Sequence, residues 1–579
     1  MSALSQLQAA TSLSDVAVLL KLQPKTLAYI LHGMSAEAKY ISFKISKKTG
    51  GTRTISAPTT ELKYAQKMLA SLLQDCIDDI NKAKDIKSVL SHGFRRNRSI
   101  ITNAVNHRNK RYVFNIDLEN FFGAINFGRV RGFFIVNKNF QLNTSVATVI
   151  AQIACHDNGL PQGSPCSPVI SNLIGHILDI RLAELALQNK CDYSRYADDI
   201  TFSTNLRDFP TQIAEKENGE GSQFQAGQKL VKIIHKAGFT VNSSKTRMQH
   251  RISRQQVTGL VVNTKVNVRS EYYRAVRSMT HLLIRTGKFY LPEVILNDSE
   301  TPYNGEKEGT IAQLNGMLSF ISSVGTYNRK KDQPDNKNND DDETYNYESL
   351  TSNDKVYRNF LLYKNFYAPV LPTIICEGKT DNIYLLAAIR SLATEFPQLV
   401  DKQTDGKKKL KVKFFHYNKL TQRLMNLAGG TSQLATLIAT YNKLFQKFKA
   451  PKAQHPVIIV IDHDDGAKAI ISTLKKVKND PTLDGSAPFY WVHKNLYVVF
   501  IPKIANKPTA IEDLFPPSVL KIKFNGKTFN KSNNHDTKAE YGKYCFAENI
   551  IAKNQSTIDF SGFKPILERL TLPIADYTK

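Results

Sequence analysis

Three aspartates in the first half of the chain stand where carboxylates can be gathered: Asp117 at the end of the strand-like part of RYVFNIDLENFF, and Asp198 and Asp199 within SRYADDITFS. The first segment reads as a strand ending at Asp117, the second as two short strands with the aspartate pair at their turn. A hairpin packed beside the first strand would bring all three carboxylates to one patch. Such a patch repels itself unless cations occupy it, and two Mg²⁺ ions held there can activate a 3′ or 2′ hydroxyl and stabilise a leaving pyrophosphate. Taken singly, each aspartate reads better as a turn residue.

The second half holds another acidic set. ICEGKTD (Ile375 to Asp381) puts Glu377 at the end of an apolar strand, and VIIVIDHDDG (Val457 to Gly466) puts Asp462 and Asp464 at the end of another. Ligands of open parallel sheets collect outside the carboxyl ends of the strands, so these acids are expected to converge there on a divalent cation. As caps of the helices that follow, Asp462 and Asp381 would need no metal. Glu377, at a buried strand end, has no cap to fill. His463, inside the acidic run, is left without a role.

The elements that must position these acids divide the chain. Residues 1–40 carry Leu13, Val16, Leu19, Leu20, Leu27, Ile30 and Leu31 at near-helical spacing and read as an N-terminal helical cap. Short strands, turns and helices fill residues 41–325. The stretch 326–357 is polar and almost free of aliphatic residues, the composition of a solvated linker, and the main domain boundary is placed there. In residues 358–579 the apolar runs PTIICE, KVKFFHY, PVIIVID and LYVVFIP alternate with helix-like stretches. Runs without polar alternation suit parallel strands buried on both faces, which predicts an α/β domain with a mostly parallel sheet.

Lysine and arginine exceed aspartate and glutamate by 78 to 51, a formal net charge of +27. A polyanionic partner and salt-dependent binding follow, with nucleic acid the obvious choice. No apolar run approaches the roughly 20 residues of a spanning helix, and nothing at Met1–Gln6 reads as a secretory signal. A cytoplasmic protein without a membrane partner is expected. The six cysteines form no Cys-x-x-Cys pair, which argues against a zinc site and a disulfide framework.

YADD at Tyr196 to Asp199 resembles the catalytic box of reverse transcriptases, and the flanking blocks follow in that family's order. KKTGGTRTISAP resembles the fingers motif that grips the incoming triphosphate, with Lys48 and Arg53 as its cationic contacts. SHGFRRNRSI resembles the next block. GLPQGSPCSP resembles the block whose glutamine, here Gln162, lies against the nucleotide. AGFTVNSSKT places Lys245 where the family has a late-palm lysine near the triphosphate, and Phe122, five residues after Asp117, where it has the aromatic ring that collides with a ribonucleotide 2′ hydroxyl. The resemblance covers about residues 10 to 325 and implies fingers, palm and thumb, with Mg²⁺ at Asp117, Asp198 and Asp199 and deoxynucleoside triphosphates as substrates.

NAVNH (Asn103 to His107) and VTG (Val257 to Gly259) match two signatures of retron reverse transcriptases. That resemblance implies a cognate structured noncoding RNA serving as primer and template, and a branched RNA–DNA product. Asn103 and His107 are the expected RNA contacts within the signature. In the thumb region Arg269, Arg274 and Arg277 interleave with Tyr272 and Tyr273, suiting phosphate contacts beside stacking or packing rings.

The glutamate after one strand and Asp-x-Asp after a later one resemble the Toprim domain of topoisomerases, primases and OLD-family nucleases, over about residues 370 to 515. Glu512 and Asp513 stand where OLD-type nucleases carry further metal-binding acids. With Asp381 they are candidates for a second ion beside Glu377, Asp462 and Asp464, the ions being Mg²⁺ or Mn²⁺. The whole chain is thus expected to be an α+β right-hand polymerase followed by an α/β Toprim domain, acting on a nucleic-acid target in antiphage defence. Three other readings stay open: a Toprim domain that is a noncatalytic or product-processing nucleic-acid-binding module, a mobile-element or diversity-generating reverse transcriptase, and a basic RNA-binding scaffold. Oligomeric state is open as well.

Overall fold

The computed structural model describes residues 1–46, 51–85, 89–216, 224–291, 307–332, 350–403, 406–451, 453–532 and 536–578. The chain divides into two compact units: Met1–Tyr273 with Pro292–Gly305 and Ser323–Pro334, and Arg274–Leu291 with Glu306–Ser322 and Asp335–Lys579.

In the first unit, short helices over Ala3–Ala9, Leu13–Leu19 and Pro24–Ala28 bury Leu7, Val16 and Leu27 in the unit's core, with Leu20 and Ile30 just beyond helix ends, and a further turn spans Ala36–Lys39. An antiparallel hairpin follows, β1 (Tyr40–Ser46) with β2 (Thr52–Pro58). Helix α1 (Thr60–Ala83) buries Leu62, Ala65, Leu69, Leu73 and Cys76, a stripe at helical spacing. Helix α2 (Ile100–Val105) starts at a capping box formed by Ser99 and Thr102.

Strand β3 (Tyr112–Asp117), helix α3 (Ser167–Gln188), the hairpin β4 (Asp192–Tyr196) and β5 (Asp199–Thr204), and β6 (Arg247–His250) complete the frame. The sheet runs β4-β5-β3-β6, antiparallel at every step. Its central position buries β3 on both faces, so Val113, Phe114 and Ile116 are all interior rather than alternating.

Helix α4 (Ser270–Thr286) lies mostly within the second unit, as does the first half of helix α5 (Ile311–Asp332). Most of α4 and the first half of α5, expected from the sequence to belong with the polymerase, are therefore part of the C-terminal unit. Of the stretch 326–357 read as linker, residues 326–332 continue α5, and 352–357 open helix α6 (Ser352–Leu362). Residues 333–349 lie outside the described residues. Local bonding explains the helical ends: Asn328 donates to the Val266 carbonyl at 2.8 Å, and Thr351 with Asp354 forms a capping box.

The second unit is built on β7 (Thr373–Cys376), helix α7 (Asp381–Ser391), β8 (Lys413–Phe414), β9 (Val457–Ile461), helix α8 (Ala467–Lys478), β10 (Tyr490–His493) and β11 (Leu496–Phe500). The sheet runs β8-β7-β9-β11-β10, with every neighbour parallel except the edge pair β11 and β10. All residues of β7, β9 and β11 are buried, as the unbroken apolar runs require. The carboxyl ends of β7 and β9 therefore lie side by side, and both acidic motifs begin there.

Candidate active sites

Asp117 is the last residue of β3 and pairs directly with Asp199, the first of β5. The Leu118 N–H donates to the Asp198 carbonyl at 3.0 Å, which holds the hairpin tip to the strand end. Because Tyr196 pairs with Asp199, the turn is only Ala197 and Asp198, and Ala197 takes φ +57°. That left-handed conformation costs a non-glycine residue of order 1–3 kcal/mol.

Lys245 places its ammonium 3.0 Å from both Asp117 oxygens, and the Asn242 side-chain amide donates to Asp117 Oδ1 at 3.3 Å. Burial pushes the Asp198 carboxyl above its usual range, with the Asp117 charge adding and Lys245 and Arg53 opposing. Asp199 is an exposed residue, yet the surrounding protein partly desolvates its carboxyl. That desolvation, then the charges of Asp198 and Asp117, pushes it up to about 6.

The remaining expected nucleotide contacts divide. Phe122 is half-buried, with ring centroids 5.5 Å from Phe121 and 6.3 Å from Phe94, and Phe94 lies 6.4 Å from Tyr196, so an aromatic wall flanks the turn. The Gln162 carbonyl accepts the Ser56 N–H at 2.8 Å, tying its loop to β2. Arg53 is exposed on β2, and Lys48 lies outside the described residues.

Asn103 and His107, expected as RNA contacts, are interior instead. His107 is fully buried, with Nδ1 2.7 Å from the Ser203 hydroxyl and Nε2 2.7 Å from the Ser194 hydroxyl. Ser194 in turn donates to Asn103 Oδ1 at 2.7 Å. Ser194 therefore accepts from Nε2–H and Ser203 donates to Nδ1, a tautomer assigned from the network. Burial pushes His107 down to about 3, so it is neutral. His107 thereby clamps β4 to β5, with both ring nitrogens engaged inside the unit. The Thr258 hydroxyl of VTG donates to the Ile100 carbonyl at 3.3 Å, joining the second signature to the helix of the first. Arg269, Arg274 and Arg277 are exposed, while α4 buries Val276, Met279, Leu283 and Ile284.

In the second unit, Glu377 follows β7 and Asp462 follows β9; the Asp462 N–H donates to Glu377 Oε2 at 3.4 Å. The Ile511 N–H donates to Asp462 Oδ1 at 3.0 Å, which brings the Glu512 segment to the same strand ends. Asp381, at the start of α7, accepts the Gly378 N–H at 2.6 Å. Asp464 accepts the Gly466 N–H at 2.8 Å and is otherwise open to solvent. Gly430 donates to the Glu377 carbonyl at 3.0 Å, and a side chain on Gly429 would put its first carbon 3.2 Å from that oxygen, so the loop approaches through glycines at φ +107° and +95°.

Charge is crowded here. Desolvation, then Asp464, pushes Glu377 up to about 7, and desolvation, then Asp381, Glu512 and Glu377, pushes Asp462 up to about 8. Burial also raises Asp381 and Glu512. Glu512 is completely buried, with the Lys543 ammonium 3.0 Å from Oε1 as an ion pair outside hydrogen-bond geometry. Burial lowers Lys543, but Glu512, Asp462 and Asp381 outweigh it and raise its affinity for a proton. Asp513 turns away, accepting its own cap N–H from Ala510 at 2.9 Å and pairing with Lys531 at 2.9 Å. His463 bridges to Thr509 and leans on Phe500, at a ring separation of 5.4 Å.

Among the described residues, no three His, Cys, Asp or Glu side chains form a ready-made ion site. Both clusters nevertheless offer hard carboxylate oxygens, a donor set that suits Mg²⁺ or Mn²⁺.

The profile of the reverse transcriptase (RNA-dependent DNA polymerase) family matches residues 45–278. The reverse transcriptase of retron Ec86 from Escherichia coli is 30% identical over 323 residues, spanning 55% of this chain and 87% of its own length. This chain belongs to the retron reverse transcriptases. Two from Myxococcus xanthus, of retrons Mx65 and Mx162, are 32% and 30% identical over 49% of this chain; the alignments span 61% and 57% of their lengths, less than two thirds. As a retron reverse transcriptase the protein is an RNA-directed DNA polymerase, of a family that uses Mg²⁺ at its polymerase site and takes RNA template and deoxynucleoside triphosphates. The family profile contains the first acidic site and ends before the second.

Two groups in this retron reverse transcriptase escaped the sequence reading. Arg195, directly before YADD, lies in a strand of mixed character, DYSRY, whose sequence does not mark it as interior. Lys543 lies in YGKYC, which carries no pattern that links it to acids far away in sequence.

Proposed function

We propose that the protein copies a cognate structured noncoding RNA that is both primer and template, extends from a 2′ hydroxyl, and leaves branched RNA–DNA, or msDNA. Asp117, Asp198 and Asp199 would hold two Mg²⁺ ions, which when bound activate the attacking hydroxyl and neutralise the leaving pyrophosphate. Lys245 stabilises negative charge beside Asp117, Phe122 excludes a ribose 2′ hydroxyl, and Arg53 and Gln162 orient the nucleotide, with Lys48 expected beside them. Exposed Arg269, Arg274 and Arg277 would take phosphates of the folded RNA. Cytoplasmic action suits this chemistry; among the described residues no helix is long and apolar enough to cross a membrane.

The second unit is read as a Toprim-type, metal-dependent nuclease, the effector of an antiphage system that the polymerase half restrains. One observation carries that reading: Glu377 and Asp462 follow adjacent parallel strands at the carboxyl end of the sheet, with Asp381 adding to the proton affinity of both and Glu512 to that of Asp462. Glu377, Asp462 and Asp464 would hold Mg²⁺ or Mn²⁺, and Asp381 and Glu512 the second ion. Asp513 is retained only as an outer candidate because of its cap.

The experiment is Glu377→Gln, which removes a charge at nearly constant volume. Purified variant should still make branched DNA, while Mn²⁺-dependent cleavage of RNA or DNA, and phage protection in cells, should be lost. Full cleavage and protection by Glu377→Gln and by Asp462→Asn would overturn the nuclease assignment and favour a noncatalytic binding module.

A further inference from the structure

The polymerase turn is strained, and an ion pair behind it reaches the strained residue. Arg195 in β4 is fully buried. Its Nε and Nη2 donate to the two carboxylate oxygens of Asp179 in α3, at 2.6 and 2.7 Å. Its Nη1 donates to the carbonyl of Ala197, the residue at φ +57°, at 2.9 Å. The same nitrogen lies 3.3 Å from Asn172 Oδ1, and the Tyr193 hydroxyl donates to Asp179 Oδ1 at 2.7 Å.

Glycines let the guanidinium and the turn pack closely. A side chain on Gly175 would put its first carbon 2.9 Å from Nη2, and one on Gly93 would put it 2.7 Å from the Ala197 nitrogen. The backbone of β4 is held from the far side, where Arg195 N–H donates to Leu90 at 2.9 Å and His92 N–H donates to Arg195 at 2.8 Å. Asn172 binds the Gly93 carbonyl and accepts from the Ser91 hydroxyl, so the pair, the SHGF segment and the turn form one network.

We propose that Arg195, locked by Asp179, is a positioning residue that sets the Ala197–Asp198 turn and so the placement of Asp198 and Asp199. A buried ion pair is a poor stability device, because desolvation offsets its attraction, and apolar replacement of the whole pair is often neutral. What arginine supplies is a planar fork: two nitrogens fix it to Asp179 while a third reaches the carbonyl. Lysine, with one nitrogen, can pair with Asp179 or reach Ala197, not hold both in one geometry.

The deciding variant replaces the network as a unit: Arg195→Met, Asp179→Leu and Tyr193→Phe together, leaving no buried charge unpaired. Its thermal midpoint and RNA binding should match the parent, with KM for nucleotide little changed. Its kcat should fall by about 10²-fold, the effect of misplacing a reacting group by about an ångström, and half-maximal activity should need more Mg²⁺. A folded triple variant with parental kcat and Mg²⁺ dependence overturns the proposal. Should it fail to fold, Arg195→Lys decides, since it keeps the charge beside Asp179: a tenfold or so lower kcat supports positioning, and an unchanged kcat overturns it.

Discussion

At the polymerase site three carboxylates, Asp117, Asp198 and Asp199, feel one lysine, Lys245; in the C-terminal unit four, Glu377, Asp381, Asp462 and Glu512, feel one lysine, Lys543. The settings also differ. Lys245 is 43% exposed and its partner Asp117 8%, whereas Lys543 is 33% exposed and its partner Glu512 0%. Burial, and after it the neighbouring carboxylates, raises proton affinity in both: Asp199 rises to about 6, Glu377 to about 7 and Asp462 to about 8. Negative charge is less compensated in the second cluster, so its fully ionised form depends more on an added cation. The polymerase site, by contrast, is already partly neutralised by its own chain.

The sharpest way to break this comparison is to empty each cluster separately. Asp199→Asn should abolish DNA synthesis, because a carboxylate opposite Asp117 is lost, and should leave Mn²⁺-dependent nuclease activity intact. Asp462→Asn should do the reverse. Primer extension and nuclease assays on the same two preparations check it. Loss of both activities in either variant would mean that the two clusters are not independent.

The first cluster was more legible than the second for a physical reason. Its acids lie in a short antiparallel hairpin and the strand beside it, so alternation and turn length place them together. The second requires that two parallel strands 80 or so residues apart become neighbours, and that a distant lysine, Lys543, folds back beneath them; no local period encodes that return. The parallel sheet itself could be anticipated from runs such as VIIVI, buried throughout β9. Asn103 and His107 mislead because a polar residue in a signature suggests a contact, yet burial with both ring nitrogens satisfied makes His107 an internal strut. The helical ends at 326–332 and 352–357 were hidden by polar composition, which does not forbid a capped helix.

A second test compares the two lysines. Lys543→Met leaves Glu512 buried without its cation and should cost about 3 kcal/mol, the scale for breaking a buried pair. Lys245→Met should cost less than Lys543→Met, because the Lys245 ammonium is 43% exposed and water can take its place beside Asp117, while slowing polymerisation. Urea denaturation of the metal-free proteins measures both. Equal losses would show that the clusters are equally compensated.

The pH dependence follows from the raised proton affinities. A carboxyl whose folded pKa is raised binds its proton more tightly folded than unfolded, so its contribution to stability is fully present below the ordinary value and is lost as pH rises through the folded value. For Asp199 that window runs from 3.8 to about 6, for Glu377 from 4.5 to about 7, and for Asp462 from 3.8 to about 8. A divalent cation on the ionised carboxylates reverses the loss. Each displaced proton makes apparent metal affinity change by about tenfold per pH unit, so in an Asp199→Asn background the stabilisation by Mn²⁺ should grow steeply between about pH 6 and 8. Titration of the thermal midpoint with Mn²⁺ across that range tests it, and a flat response would remove the second cluster as an ion site.

The smallest expected effect separates neighbours in sequence. Glu512 and Asp513 carry equal charge, but Glu512 points at Lys543 inside the cluster, whereas Asp513 accepts the Ala510 N–H at 2.9 Å and holds Lys531 at the surface. Asp513→Ala should therefore remove a cap, costing about 1 kcal/mol, and leave Mn²⁺ affinity and cleavage close to the parent's. Glu512→Gln should leave the cap and weaken Mn²⁺ binding, since the lost charge is one that raises Asp462. If Asp513→Ala instead weakens Mn²⁺ binding as much as Glu512→Gln while its stability holds, Asp513 must swing inward to bind the ion, and the boundary drawn between the two acids is wrong.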